Sequence, residues 1–111
     1  MFISINHIPV KPGRESEFEE LFRQREKAVE KQPGFISLDV LKPGQKMIMG
    51  QSVESTTHEY QVLTRWENEQ AFVEWVHSED FKRAHSRQKD TTMFDGKSHL
   101  TLHGTIDGAG A

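Results

Sequence analysis

Tyr60-Gln61-Val62-Leu63-Thr64-Arg65-Trp66, followed at once by Glu67-Asn68-Glu69-Gln70-Ala71-Phe72-Val73-Glu74-Trp75-Val76, contains the change of period that sets the fold. Tyr60 to Trp66 is rich in β-branched and aromatic residues and short enough to be one strand. Past Asn68 the large apolar residues recur at helical spacing: Ala71, Phe72, Trp75 and Val76 share one stripe. Asn68 is suited to cap that helix, because its side-chain oxygen can accept from an unpaired amide of the first turn. Ser78 is a second cap, with Glu79 and Asp80 in the following turn, where carboxylates suit the helix dipole. A break is therefore expected near His77-Ser78, and a second helical piece carries Phe81, Ala84, His85 and Gln88.

Upstream, Phe2 to Val10 alternates and reads as a strand, closed by Lys11-Pro12-Gly13. Ser16 to about Gln32 reads as a helix with Phe18, Leu21, Phe22, Arg25 and Val29 on one stripe, and Pro33-Gly34 stops it. Phe35 to Leu41 is the next strand. Lys42 to Glu59 is a long connection whose Met47-Ile48-Met49 is a short strand or a flap, and such length usually has a job. Downstream, Lys89 to Lys97 reads as a polar loop and His99 to Ile106 as the last strand. The order β-α-β-β-α-β points to an α+β, ferredoxin-like fold: an antiparallel sheet with helices on one face. Residues 1–106 form one domain in this reading, and 107–111 a short flexible tail.

The size agrees, since 111 residues at 12.8 kDa make one ordinary domain. Lys+Arg 14 against Asp+Glu 17 gives −3, which argues against nucleic acid as a partner. Hydrophobic residues are only 34%, so a second copy closing the bare sheet face is expected to complete the core. Cysteine is absent, which removes disulfides, thiolate metal sites and cysteine nucleophiles, and fits a reducing compartment. No basic segment precedes a long apolar run and no stretch approaches ~18 apolar residues, so a cytoplasmic protein with no membrane partner is expected.

Few residues carry recognisable chemistry. Six histidines are present; His99 and His103 lie four apart, but in a strand and without the glutamate of a zincin motif. Phosphate-binding glycine loops and a Gly-x-Ser-x-Gly elbow are absent. His85 shares the inward stripe of its helical piece, as either a satisfied, half-buried side chain or an axial ligand to haem iron. Trp75 is either core or a pocket wall; on an unbroken helix it would lie roughly 80° from His85, so the break at Ser78 is needed to aim both at one space. Asn6 is a lone amide on an apolar strand, either paired across the sheet or facing a ligand.

The string from Trp66 to Trp75, then Phe81-Lys82-Arg83-Ala84-His85, resembles the antibiotic-biosynthesis-monooxygenase (ABM) domain, and within it the IsdG/MhuD-type haem-degrading monooxygenases. Asn6, Trp75 and His85 match that group's asparagine on the first strand, tryptophan on the second helix and histidine ten residues later. The rhythm of Asn6, Ile8, Val10 and Gly13, and the junction Pro33-Gly34-Phe35, fit as well. The resemblance runs from residue 1 to about 105.

The resemblance implies a homodimer whose two sheets close an α+β barrel, with haem bound between helices and sheet as both cofactor and substrate. His85 would ligate the iron, Trp75 press on the porphyrin, and Asn6 provide the distal hydrogen bond. These three are the implied catalytic residues. Phe22, Phe72, Val76 and Phe81 would line the pocket, while Arg25 is a propionate contact, an active-site hydrogen-bond donor or a solvated arginine. The implied reaction uses O2 and electrons from an unidentified reductase or small reductant, opens the ring and frees iron. Two alternatives stand beside it: a cofactor-independent ABM oxygenase acting on a quinol or polyketide, and a non-enzymatic haem-binding dimer.

Overall fold

A computed structural model of the chain describes residues 1–54, 58–86 and 91–110. Its elements are β1 (Phe2–Pro9), α1 (Glu15–Arg23), β2 (Phe35–Leu41), β3 (Lys46–Ile48), β4 (Gln51–Val53), β5 (Glu59–Trp66), α2 (Glu69–Val76), α3 (Glu79–Ser86) and β6 (His99–Gly104), with single 3-10 turns at Val29–Lys31 and Thr91–Met93. The main sheet runs β2-β5-β1-β6, antiparallel at each pairing, which is the ferredoxin-like order. The expected Gln88, and positions 89, 90 and 111, lie outside the described residues.

Alternation decides which side chains meet the helices. Phe2, Ser4, Asn6 and Ile8 of β1 lie opposite Trp66, Thr64, Val62 and Tyr60 of β5, and this face carries the helices. Its core is divided. One cluster gathers Phe2, Ala28, Trp66, Ala71, Phe72 and Trp75. The other gathers Val10, Phe18, Tyr60 and Met93. The rows of the sheet between them hold Ser4 and Asn6 on β1.

Three expectations are corrected. The first helix ends at Arg23, and only Val29–Lys31 regains a helical turn before Pro33. Beyond Phe22 its stripe offers only Arg25 before Val29; leaving the helix carries Ala28 into the Trp66 cluster, burial that a straight helix would not provide. Leu21, placed on that stripe, is exposed. The segment read as a polar loop contains Met93, buried in the second cluster, and Phe94, which bridges to Val10. Finally, β6 stops at Gly104, two residues early.

Met47-Ile48 is a strand after all: β3 and β4 form a hairpin closed by Met49 and Gly50, both at positive φ. No helix among the described residues is long and apolar enough to cross a membrane.

Gly34 packs closely against α2. Its φ is +82°, and a Cβ built there would stand 2.5 Å from the Ala71 Cβ. Left-handed strain of about 1–2 kcal/mol adds to an overpacking cost of about 1–3 kcal/mol. Gly34→Ala is therefore expected to destabilise by about 3 kcal/mol; the denaturant midpoint checks it, and an unchanged midpoint would show that α2 shifts freely.

On the bare face, His7 Nδ1 lies 2.6 Å from Glu59 Oε1, and its ring stacks on His99 at 4.5 Å. The His7 contact holds the Glu59 carboxyl below the usual carboxylate range, against a desolvation effect that would raise it. On the helix side, burial pushes the Tyr60 hydroxyl upward, helped by its 2.6 Å hydrogen bond to Glu19.

Candidate functional site

The site is built around the end of α2. Asn68 Oδ1 accepts from the Ala71 amide at 2.9 Å, so α2 starts where the sequence places it. Ser78 then serves both helices. Its hydroxyl donates to the Trp75 carbonyl at 2.7 Å and accepts from the Phe81 amide at 3.1 Å, closing α2 and capping α3 with one oxygen. The expected break is therefore real, and it restarts the helix on a new axis.

That restart aligns Trp75, Phe81 and His85. The Trp75 and Phe81 rings meet edge to face at 5.3 Å, and Phe81 and His85 stack at 3.9 Å. Trp75 is buried and His85 is exposed, so the histidine is not the half-buried side chain its stripe suggests. Its Nδ1 lies 2.8 Å from the Phe81 carbonyl oxygen. A carbonyl can only accept, so Nδ1 carries the proton. Nε2 is then left with a free lone pair, the form in which imidazole binds a metal. Among the described residues no three metal-ligating side chains converge, and His85 is a candidate for a site that needs a single imidazole.

The floor is one row of the sheet. Leu100, Asn6, Val62 and Val40 stand side by side across β6, β1, β5 and β2. Leu100 and Leu102 remain 50% and 52% exposed, although both are on the helix-facing side. Asn6 is half-buried among these aliphatic neighbours, and no side-chain hydrogen bond joins it to a described residue. In the next row Ser4 and Thr64 satisfy each other at 2.5 Å, and Thr64 accepts from the Trp66 indole at 2.9 Å. The contrast is chemical: the neighbouring polar row is internally paired, and Asn6 is not.

Phe22 packs against the second cluster, and Val76 and Phe81 against the first. Phe72 is enclosed by Phe2 at 5.6 Å and Trp66 at 5.9 Å, so it backs the wall rather than facing the interval. Arg25 is half-buried rather than freely solvated. Its guanidinium lies 4.5 Å over the Phe22 ring and 2.6 Å from Glu30 Oε1. Further contacts bind the turn after α1 to α3: Gln32 donates to Asp80 at 3.0 Å, and Arg83 pairs with Glu26 at 3.7 Å. A shallow depression beside Ser16, Leu21, Gln24 and Met93 shares no residue with this group.

Sequence reading missed the floor residues Val40, Val62, Leu100 and Leu102. The parity signal exists, since all lie on even positions, but pairing register was needed to put them beside Asn6. Glu30 was missed because nothing in its surroundings distinguishes it from a solvated glutamate.

Known proteins share this arrangement of chain. Residues 1–87 match the family described as antibiotic biosynthesis monooxygenase. A heme oxygenase (mycobilin-producing) of Mycobacterium tuberculosis H37Rv is 31% identical over 108 residues, spanning 97% of this chain and 92% of that one. The heme-degrader MhuD of M. tuberculosis, solved with two hemes in its active site, superposes with a TM-score of 0.75 at 28% identity over 99% of this chain and 100% of that one. An arginine-to-serine variant of MhuD with two manganese protoporphyrin IX bound per active site gives 0.78 at 26% identity over the full length of both. SnoaB, a cofactor-independent oxygenase of Streptomyces nogalater, shares the fold at 17% identity, with a TM-score of 0.67 over 96% of this chain and 94% of that one. Since the match takes in α1, the central strands, α2 and α3 through His85, the chain belongs to the antibiotic biosynthesis monooxygenase family.

Proposed function

We propose that the protein is a haem-degrading monooxygenase, binding haem between the helices and the sheet, opening the ring with O2 and external electrons, and releasing iron. The observation that carries this reading is His85: its Nδ1 is committed to the Phe81 carbonyl, and its Nε2 is presented, exposed, at the end of an aromatic run that starts at Trp75. The divided core suits a flat apolar ligand, because the interval has an aliphatic floor and aromatic ends. The relatives that bind haem or its manganese analogue support the same ligand.

Haem, when bound, supplies the iron and its oxygen chemistry, as cofactor and substrate together. The chain's own part is to hold and orient. His85 Nε2 holds the metal, and the Phe81 carbonyl fixes the ring's tautomer. Trp75 is immobilised by its burial and by Phe81, and so acts as a stiff wall that can distort a macrocycle pressed on it. Phe22, Val76 and Phe81 exclude water, and Phe72 backs them. Asn6, on the floor row and without a hydrogen-bond partner among the described residues, would supply an amide N–H to an oxygen species at the bound group.

We also infer that a second copy covers the bare face, where Ile3, Ile5 and Leu63 stand in a sheet covered by helices on one side only. Light scattering is expected to give twice 12.8 kDa; a stable monomer would remove the barrel. A cytoplasmic setting, which supplies reductants, suits a chain without cysteine.

The test is a haemin titration followed by reductant in air. A Soret band that appears and then bleaches with iron release supports the proposal. A band that never bleaches identifies a haem-binding dimer without this activity. No band at all removes both haem readings and leaves the cofactor-independent oxygenase as the alternative to assay.

A further inference from the structure

We propose that Glu30 sets the affinity of the site for carboxylate-bearing ligands, holding Arg25 in a resting position that a ligand carboxylate must win from it. The inference rests on the haem reading, since haem carries two propionate carboxylates.

Phe22 belongs to the second cluster and Ala28 to the first, so residues 24–27 cross the interval between them. Arg25 is in that crossing, and its donors are unevenly used. Nη2 donates to Glu30 Oε1 at 2.6 Å, and Nη1 to the Phe22 carbonyl at 3.3 Å. Nε is buried and has no acceptor among the described residues. Both side chains are 27% exposed, so neither charge is fully hydrated. A buried donor left without a partner is uncommon in a folded protein and points to strain or to an unmet ligand role.

Arginine presents Nε and Nη2 along one edge of a planar fork, which a carboxylate fills with its two oxygens. Glu30 occupies Nη2 alone. A ligand carboxylate that took the whole edge would satisfy Nε as well, and would compete with Glu30 for Nη2. The anionic Glu30 also repels a second carboxylate brought to the same guanidinium. Glu30 is therefore a competitor of the ligand, although in the ligand-free protein it is Arg25's partner. Gln32 to Asp80 and Glu26 to Arg83 tie the same segment to α3, so Arg25 can exchange partners by side-chain rotation while the backbone stays anchored.

The test is a haemin titration of Glu30→Gln, Glu30→Ala, Arg25→Ala and the Arg25→Ala/Glu30→Gln double variant, with thermal unfolding monitored for each. Glu30→Gln and Glu30→Ala are expected to bind haemin about 3- to 10-fold more tightly, the scale of one partly screened charge pair. The gain should vanish in the Arg25→Ala background, and also with haemin dimethyl ester, whose carboxylates are masked. A purely structural Glu30 would shift both ligands alike. Unchanged or weaker haemin binding by Glu30→Gln, or a gain that survives loss of Arg25 or esterification, would overturn the proposal while leaving the haem reading intact. A wild-type protein without a Soret band would overturn both.

Discussion

Replacing His85 by alanine is expected to cost the protein its haem ligand while leaving the fold in place. His85 is exposed and joins the rest of the chain through the Phe81 carbonyl and the Phe81 ring. Losing one such stacked pair removes at most about 1 kcal/mol of stability. In the proposed site the Phe81 carbonyl and ring hold His85 in the ligating tautomer, and alanine supplies no replacement donor. Haemin affinity should fall by at least about 10- to 100-fold, the range seen when even an outer-shell partner of a metal ligand is removed. The Soret maximum should move away from that of the wild type, and ring opening should stop. An unchanged ferric spectrum and full turnover in His85→Ala would transfer the ligand role to another imidazole, with His77, at the C-terminal end of α2, the first to test.

The second large effect is expected at Asn6, and it should be in rate and not in affinity. No side-chain hydrogen bond joins Asn6 to a described residue, so Asn6→Ala should fold as well as the wild type. Asn6 is on β1 and His85 on α3, so the substitution leaves the imidazole and its Phe81 contacts unchanged. A donor aimed at the reacting oxygen gains strength as negative charge develops there, and only such differential binding accelerates a reaction. Removing one preorganised donor of this kind commonly costs about 10²–10³ in rate. The measurement is the rate of Soret decay with ascorbate beside the haemin dissociation constant. If the constant rises tenfold or more while the rate holds, Asn6 is a binding residue and the proposed distal role is wrong.

Much of the architecture was legible because local chemistry and global packing agree here. The caps at Asn68 and Ser78 each accept from the amide three residues ahead, so their effect is encoded within one helical turn. The same locality made the break between α2 and α3 readable, and with it the need for Trp75 and His85 to converge. The first helix misled for the opposite reason. Its stripe continues on paper through Arg25 and Val29, but burying Ala28 beside Trp66 depends on strands distant in sequence. Met93 and Phe94 likewise sit in a polar stretch and are drawn inward only because Val10 and Phe18 wait for them.

The sequence by itself determined the order of the main strands and helices and the break between α2 and α3, since each depends on neighbours within a few positions. Only the tertiary structure decided that the core divides, that Leu100, Asn6, Val62 and Val40 form one row, and that Arg25 rests on Glu30 with a donor unmet. Register and side-chain pairing are set by contacts between residues far apart in the chain. Those contacts form only when the hydrophobic surfaces of the sheet and helices close together, and no local pattern records which partner wins.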